Sequence, residues 1–228
     1  MNILGIHDGH TATACLIKNG VVEAMISEER LNRIKNYSGM PELAAKWVIE
    51  STKTDPAAID AVALVGLVKP NMNENSLLMQ ATQLLPYQIW SSEFITSAYV
   101  SVMGSRRGVD EIAGSLRSIG IRAPIKKVEH HLTHAAGSYF LSPLFSGACR
   151  RNEKVLIITL DGSGDGLCGT VSIASGRKIE RVLSIPSYHS IGEMYSGVTR
   201  FLGMKQWEHE YKVMGLARDA SADDIKKA

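Results

Sequence analysis

Residues 2–27, NILGIHDGHTATACLIKNGVVEAMIS, hold three apolar runs: Ile3 to Ile6, Ala12 to Ile17 and Val21 to Ile26. Asp8-Gly9 separates the first two, and Asn19-Gly20 the second two. An Asn-Gly pair between apolar runs is the strongest short hairpin signal, because both turn residues must accept positive φ. The stretch therefore predicts a three-strand antiparallel meander. Residues 155–185, VLIITLDGSGDGLCGTVSIASGRKIERVLSI, repeat the plan: Val155 to Leu160, Asp161-Gly162, Leu167 to Ala174, a turn at Ser175-Gly176, and Lys178 to Ile185. A duplicated meander, each copy followed by helices, predicts an α/β fold of two lobes that clamp a ligand between matching hairpin loops. Two unrelated meanders are the bland alternative.

Around these anchors, helical spacing covers residues 41–53, with Pro41 tolerated in a first turn. Ala57 to Gly66 reads as a buried strand, Val109 to Ile119 as a helix, Ile125 to Glu129 as a strand and His131 to Leu141 as a helix. Two more helices are expected over Gly192 to Leu202 and Glu208 to Arg218. Residues 71–104, rich in Asn, Gln and Ser, read as a helical insertion that shapes specificity. The expected division is a first lobe over 1–152 and the start of a second over 153–228. The closing Ser-Ala-Asp-Asp-Ile-Lys-Lys-Ala lacks a helix-ending glycine or proline, so a second lobe cut short is expected.

Composition narrows the class. The 228 residues are 45% hydrophobic and 21% charged, the balance of an ordinary globular protein. With 25 basic against 23 acidic residues and no block of one sign, the charge argues against a nucleic-acid partner. Cys15, Cys149 and Cys168 are too few and too scattered for a disulfide framework or a metal knuckle. No apolar run approaches the ~20 residues of a bilayer span, and no membrane partner and a cytoplasmic location are expected.

The densest cluster of ligand-type side chains is Glu129 to Gly137, which contains His130, His131 and His134. On a helix, His130 and His134 lie on one face at i, i+4, while His131 points about a hundred degrees away. The pair can clamp one ion, or can be two hydrogen-bonded histidines at a strand-helix junction; two ligands do not close a coordination sphere. Asp161, at the end of the run Val155 to Leu160, supplies a third donor, giving an N/N/O set with open positions. Gly162, Ser163 and Gly164 follow in a glycine-alternating stretch that can present backbone N–H groups to phosphate or can be a plain turn. Its counterpart is Asp8-Gly9-His10-Thr11. The charged stretch Glu28 to Lys35 reads from composition as a solvated strand exit, and Glu208 to Lys212 as an exposed helix face.

Taken together, Leu4 to Ala12, Ser27 to Lys35, His130 to Ala136, Leu160 to Asp165 and Glu210 to Ala217 resemble, in order, the O-carbamoyltransferases that modify antibiotics and nodulation factors. The resemblance implies an actin-like ATPase (ribonuclease H-like) fold. It implies a divalent metal, iron(II), on His130, His134 and Asp161, and carbamoyl-adenylate as bound nucleotide. A C-terminal domain not in this chain would make that donor from ATP and carbamoyl phosphate; the lobe here would pass the carbamoyl group to the hydroxyl of a small-molecule acceptor. Asp8 or His10 would accept the hydroxyl proton. Arg33 and Lys35 would hold carbamoyl or acceptor oxygens, Gly162 to Gly164 the phosphate, and Glu210 with Lys212 the nucleotide side. Members of the family are longer, and a further aspartate that completes their metal shell falls outside this chain. Two other readings stand: a relative of the tRNA threonylcarbamoyl transferase, which the near-neutral charge disfavours, and a non-catalytic actin-like ATP-binding module. The segment Cys149 to Asn152 reads as a small insertion.

Overall fold

The computed structural model describes residues 1–68, 108–143, 153–206 and 208–217. The proposed insertion at 71–104 and the segment Cys149 to Asn152 lie outside the described residues, as does Arg218.

The opening stretch folds as its pattern dictates. Strands β1 (Asn2–His7), β2 (Thr13–Lys18) and β3 (Val21–Ser27) form an antiparallel meander. Asn19 and Gly20 sit at φ 51° and 86° in the β2–β3 turn, the backbone that an Asn-Gly pair adopts at least cost. The chain then runs through a short helix α1 (Glu29–Asn32), helix α2 (Glu42–Ser51) and strand β4 (Ala61–Val65), which joins β1 in parallel. Ala57 and Ala58, expected in that strand, instead form a 3-10 turn that Asp55 caps by accepting the Ala57 N–H. Helix α3 (Asp110–Ser118) leads to β5 (Ile125–Val128), parallel to β4. The sheet order is β3-β2-β1-β4-β5, with β2 antiparallel to the rest. That is the ribonuclease H-like arrangement of an actin-like lobe, as the resemblance implied.

Alternate residues of β1, β2 and β4 point to one face, where Leu4, Ile6, Leu16, Val62 and Leu64 are fully buried. Ala44, Ala45, Val48 and Ile49 of α2 and Ile112 and Leu116 of α3 close over them. The charged strand exit is solvated only in part: Arg30, Arg33 and Lys35 are exposed, but its first residue is not. Glu28 is buried, and its carboxylate accepts the N–H groups of Leu43 at 3.2 Å and Ala44 at 2.7 Å. A negative charge at the start of α2 satisfies two orphan donors and favours the helix dipole.

Helix α4 (His130–Phe140) follows β5 directly but packs on the second sheet: Ala135 and Tyr139 meet Ile157 and Ala174. That sheet is the second meander, β6 (Val155–Gly164), β7 (Leu167–Ser175) and β8 (Lys178–Pro186), in that order. Helices α5 (Ile191–Phe201) and α6 (Glu210–Ala217) complete the described chain. Among the described residues no helix is long and apolar enough to cross a membrane.

The glycine-rich stretch is the main departure from expectation. Asp161-Gly162 is not a turn; β6 continues through it to Gly164 after an irregularity beyond Leu160. The turn is Asp165-Gly166, at φ 50° and 82°, with Gly164 paired to Leu167. Two Asp-Gly pairs stand four residues apart, and the second, directly before the run that opens at Leu167, makes the bend.

Candidate metal centre at the seam of two sheets

The histidine helix starts where β5 ends, and Glu129 caps it by accepting the N–H groups of His131 at 3.1 Å and Leu132 at 2.8 Å. Arg181 of β8 pairs with the same carboxylate. The helix start is thereby tied to the second sheet, and its first turn faces β6.

Three side chains converge there. His130 Nε2 is 2.6 Å from Asp161 Oδ2, His134 Nε2 is 3.4 Å from the same oxygen, and the two Nε2 atoms are 3.0 Å apart. The described residues contain one such grouping of three metal-ligand side chains. Two ring nitrogens turned on a single carboxylate oxygen make a crowded hydrogen-bond arrangement and a good cation site. Ligands at about 2.1 Å from a metal sit about 3 Å apart when they occupy adjacent octahedral positions. The triangle of donor atoms has those proportions, and two histidines with one carboxylate on one face is the donor set of non-haem iron(II) centres. His134 is half exposed, so the open side faces solvent.

Electrostatics follow from the geometry. The hydrogen bond from His130, then that from His134, and the Gly162 amide hold the Asp161 carboxyl far below the usual carboxylate range. In return Asp161 raises the His134 imidazole above its ordinary value, chiefly through their hydrogen bond.

His131 does a different job. It is fully buried, its Nε2 lies 3.0 Å from the Leu167 carbonyl, and its Nδ1 lies 2.9 Å from the Thr159 hydroxyl. A carbonyl only accepts, so Nε2 donates; Nδ1 of the neutral ring then accepts from Thr159. Thr159 Oγ1 in turn accepts from the Thr170 hydroxyl at 2.7 Å and the Thr170 N–H at 3.1 Å. Burial lowers the pKa of this ring first of all, which suits its neutral role. The network pins α4 to β6 two residues before Asp161.

Space is as specific as charge. A Cβ on Gly164 would lie 2.1 Å from the His130 ring, so only glycine lets that imidazole lie against the strand. A Cβ on Gly192 would come within 3.1 Å of Gly162, which lets α5 approach the same strand. Ser190 caps α5 by accepting the Glu193 N–H, and its hydroxyl donates to the Asp161 carbonyl at 3.4 Å. Glu193 is exposed as a residue, but its carboxylate end lies beside Gly162; burial of that end, then the charge of Asp161, push its pKa up.

The remaining expected site residues fall in three groups. Asp8 is buried at the end of β1, and His10 is exposed in the loop after it. His7, the last residue of β1, is lowered by burial above all, with the His130 charge adding to the effect; the end of β1 is thus within electrostatic reach of the triad. Arg33 and Lys35 are exposed, and Arg33 ends α1 at φ 63°. Lys35 and Asn36 face Glu208, whose carboxyl is lowered by Lys205 first and by these groups after it. The chain exit of the first meander therefore meets the approach to α6. Glu210 accepts from the Ser196 hydroxyl at 3.1 Å, tying α6 to α5, while Lys212 is exposed. Gly162, Ser163 and Gly164 belong to the irregular end of β6 rather than to a loop, and the Gly162 N–H donates to Asp161 Oδ1 at 2.7 Å.

Sequence reasoning missed His7, Asp165, Glu193 and the role of Glu129. Two had a readable signal: Glu129 immediately precedes the histidine helix, where a cap belongs, and Ser190 and Glu193 carry the S-x-x-E pattern of a helix start.

The family model described as carbamoyltransferase N-terminus matches residues 2–227. The nodulation protein NolNO of Sinorhizobium fredii is 29% identical over 214 residues, covering 93% of this chain and 28% of that protein. An uncharacterized protein of Methanocaldococcus jannaschii is 30% identical over 225 residues, 98% of this chain and 34% of its own length. The nodulation protein NolO of Bradyrhizobium diazoefficiens is 36% identical over 100 residues, 44% of this chain and 17% of its own. The chain thus spans about a third or less of the curated relatives it matches. Among solved structures, YeaZ from Pseudomonas aeruginosa aligns with a TM-score of 0.38 at 10% identity, covering 82% of this chain and 68% of that one.

Proposed function

Because the chain belongs to the carbamoyltransferase family, by way of its N-terminal region, we propose that it carries the transfer site of an O-carbamoyltransferase. The observation that carries the reading is the convergence of His130, His134 and Asp161 on one point at the seam of the two sheets. In the proposed reaction the oxygen of an acceptor hydroxyl bonds to the carbamoyl carbon of carbamoyl-adenylate. The bond from that carbon to the phosphate oxygen breaks, and AMP leaves with the electron pair. The hydroxyl proton passes to Asp8 or His10.

The three donors would hold iron(II), which when bound supplies the positive charge that a leaving phosphate requires. The chain's own residues do the rest. Asp161 stays ionised and orients both imidazoles. Asp8 follows His7, whose ring feels the His130 charge, and its carboxylate would take the proton. Lys35 and Arg33 offer cations to carbamoyl or acceptor oxygens, and Glu210 and Lys212 line the nucleotide side. Gly164 lets the His130 ring, and Gly192 lets α5, approach the strand closely, and Gly162, Ser163 and Gly164 would face the phosphate. Formation of carbamoyl-adenylate from ATP and carbamoyl phosphate is assigned to polypeptide beyond this chain.

The test is transfer from synthetic carbamoyl-adenylate to a panel of hydroxyl acceptors by the complete polypeptide. Asp8→Ala or His10→Ala should lower the rate by ~10²–10⁴-fold if that residue is the base. Unchanged rates in both variants would remove the base assignment, and no transfer to any hydroxyl would remove the reaction.

A further inference from the structure

Asp165 is outside the ligand set, yet its carboxylate gathers backbone N–H groups from both sides of the seam. Leu67 N–H donates to Oδ1 at 2.8 Å and Oδ2 at 2.9 Å, Val68 N–H to Oδ1 at 2.9 Å, and His130 N–H to Oδ2 at 2.8 Å. Leu67 and Val68 follow β4 of the first sheet; His130 opens α4. Asp165 itself is the first residue of the β6–β7 turn, at φ 50°, a conformation that aspartate tolerates better than most side chains.

The same hairpin therefore holds His130 twice, by its main chain through Asp165 and by its ring through Asp161. Gly164, next to Asp165, leaves room for the ring between the two. Both carboxylate oxygens of Asp165 are used: Oδ1 takes Leu67 and Val68, and Oδ2 takes His130 and shares Leu67. An amide in its place has a single acceptor oxygen and cannot serve both.

We propose that Asp165 is a positioning residue for the metal centre. By locking the start of α4 and the end of β4 to the β6–β7 hairpin, it fixes how far His130 stands from Asp161. The inference rests on the reading of the triad as a metal site, and it adds a residue that never touches the ion.

Three forms of the full chain test it: the parent, Asp165→Asn, and Glu28→Gln. Glu28 is the control because it too is a carboxylate that accepts two backbone N–H groups, but its donors are Leu43 and Ala44 of α2 rather than a residue of the triad's own helix. Co(II) is the probe ion, followed by its visible absorption. Asp165→Asn should weaken Co(II) binding by ~10–100-fold, the usual cost of losing an outer-shell partner, and should change the absorption spectrum. Hydrogen exchange at Leu67, Val68 and His130 should quicken together in that variant even without metal. Glu28→Gln should lower the melting temperature and leave Co(II) affinity and spectrum as in the parent. Should Asp165→Asn not fold, Asp165→Glu, which keeps the charge and displaces it by one methylene, carries the same prediction. Parent-like Co(II) binding in the Asp165 variant, or an equal loss in Glu28→Gln, overturns this inference alone. A parent chain that binds no Co(II) overturns the metal reading and this inference with it.

Discussion

The meander β1–β3 and the meander β6–β8 follow one antiparallel plan, but they spend their apolar residues differently. The first is extended by β4 and β5 and covered by α2 and α3, so that Leu4, Ile6 and Leu16 vanish into a core. The second, among the described residues, has three strands, one face against α4, and an opposite face where Leu156, Ile158 and Leu160 of β6 are exposed, Leu160 at 77%. The larger buried core lies in the first unit and the proposed metal ligands in the second. Each expected metal ligand sits on β6 or on the helix that packs against it, while the first unit contributes Asp8 and His7 at a strand end. A repeat alone would have placed equivalent chemistry in both loops; the seam between the sheets decides otherwise.

The widest gap between the two units should appear in stability. Leu64→Ala, in the covered sheet, should cost ~2–5 kcal/mol in urea unfolding, the usual range for a buried leucine. Its counterpart on the bare face, Leu160→Ala, should change stability by less than about 0.5 kcal/mol. Equal losses at the two positions would break the comparison by showing that the outer face of β6 is covered in solution.

A second contrast concerns glycine. Gly164→Ala puts a methyl into the His130 ring, so it should weaken divalent-metal binding by ~10–100-fold, measured by titration calorimetry. Gly20→Ala, in the β2–β3 turn of the first unit, meets no neighbour within 4 Å and strains only its own positive φ. It should lower stability by about 1 kcal/mol and leave metal binding alone.

The smallest effect is a pH slope. Pairing with Asp161 raises His134 above its ordinary 6.5, so its contribution to the metal-free fold is complete below that pH and is lost as pH rises through the raised value. Asp161, lowered, contributes fully above its ordinary 3.8 and adds no slope near neutrality. His131, lowered by burial, acts in the opposite sense and contributes fully only above 6.5. The metal-free chain should therefore lose stability gently on the alkaline side, and His134→Gln should flatten that slope in melting curves taken from pH 6 to 9. Metal affinity should rise over the same interval, because the ligand must give up its proton.

Much of this was legible in the sequence, and the reasons are local. Strand period, the Asn19-Gly20 turn and the i, i+4 histidine pair are each set by residues within a few positions of one another, and the pairing of His130 and His134 with Asp161 was readable because helix and strand geometry point them out. What was not legible depends on partners far along the chain. Glu28 looks like solvent-facing charge until α2 folds back onto it, 16 residues later. Asp165 looks like a loop residue until Leu67, 98 residues away, donates to it. The choice between Asp161-Gly162 and Asp165-Gly166 as the turn was a contest between two equal local signals, decided by β6 pairing on to Gly164.

The central claim is that His130, His134 and Asp161 together hold a divalent metal. Elemental analysis of the anaerobically purified complete polypeptide, beside its His130→Ala and His134→Ala variants, tests it most directly. The account predicts about one equivalent of metal in the parent and strong depletion in both variants, each with its fold intact by circular dichroism. Equal metal content in all three proteins would contradict it.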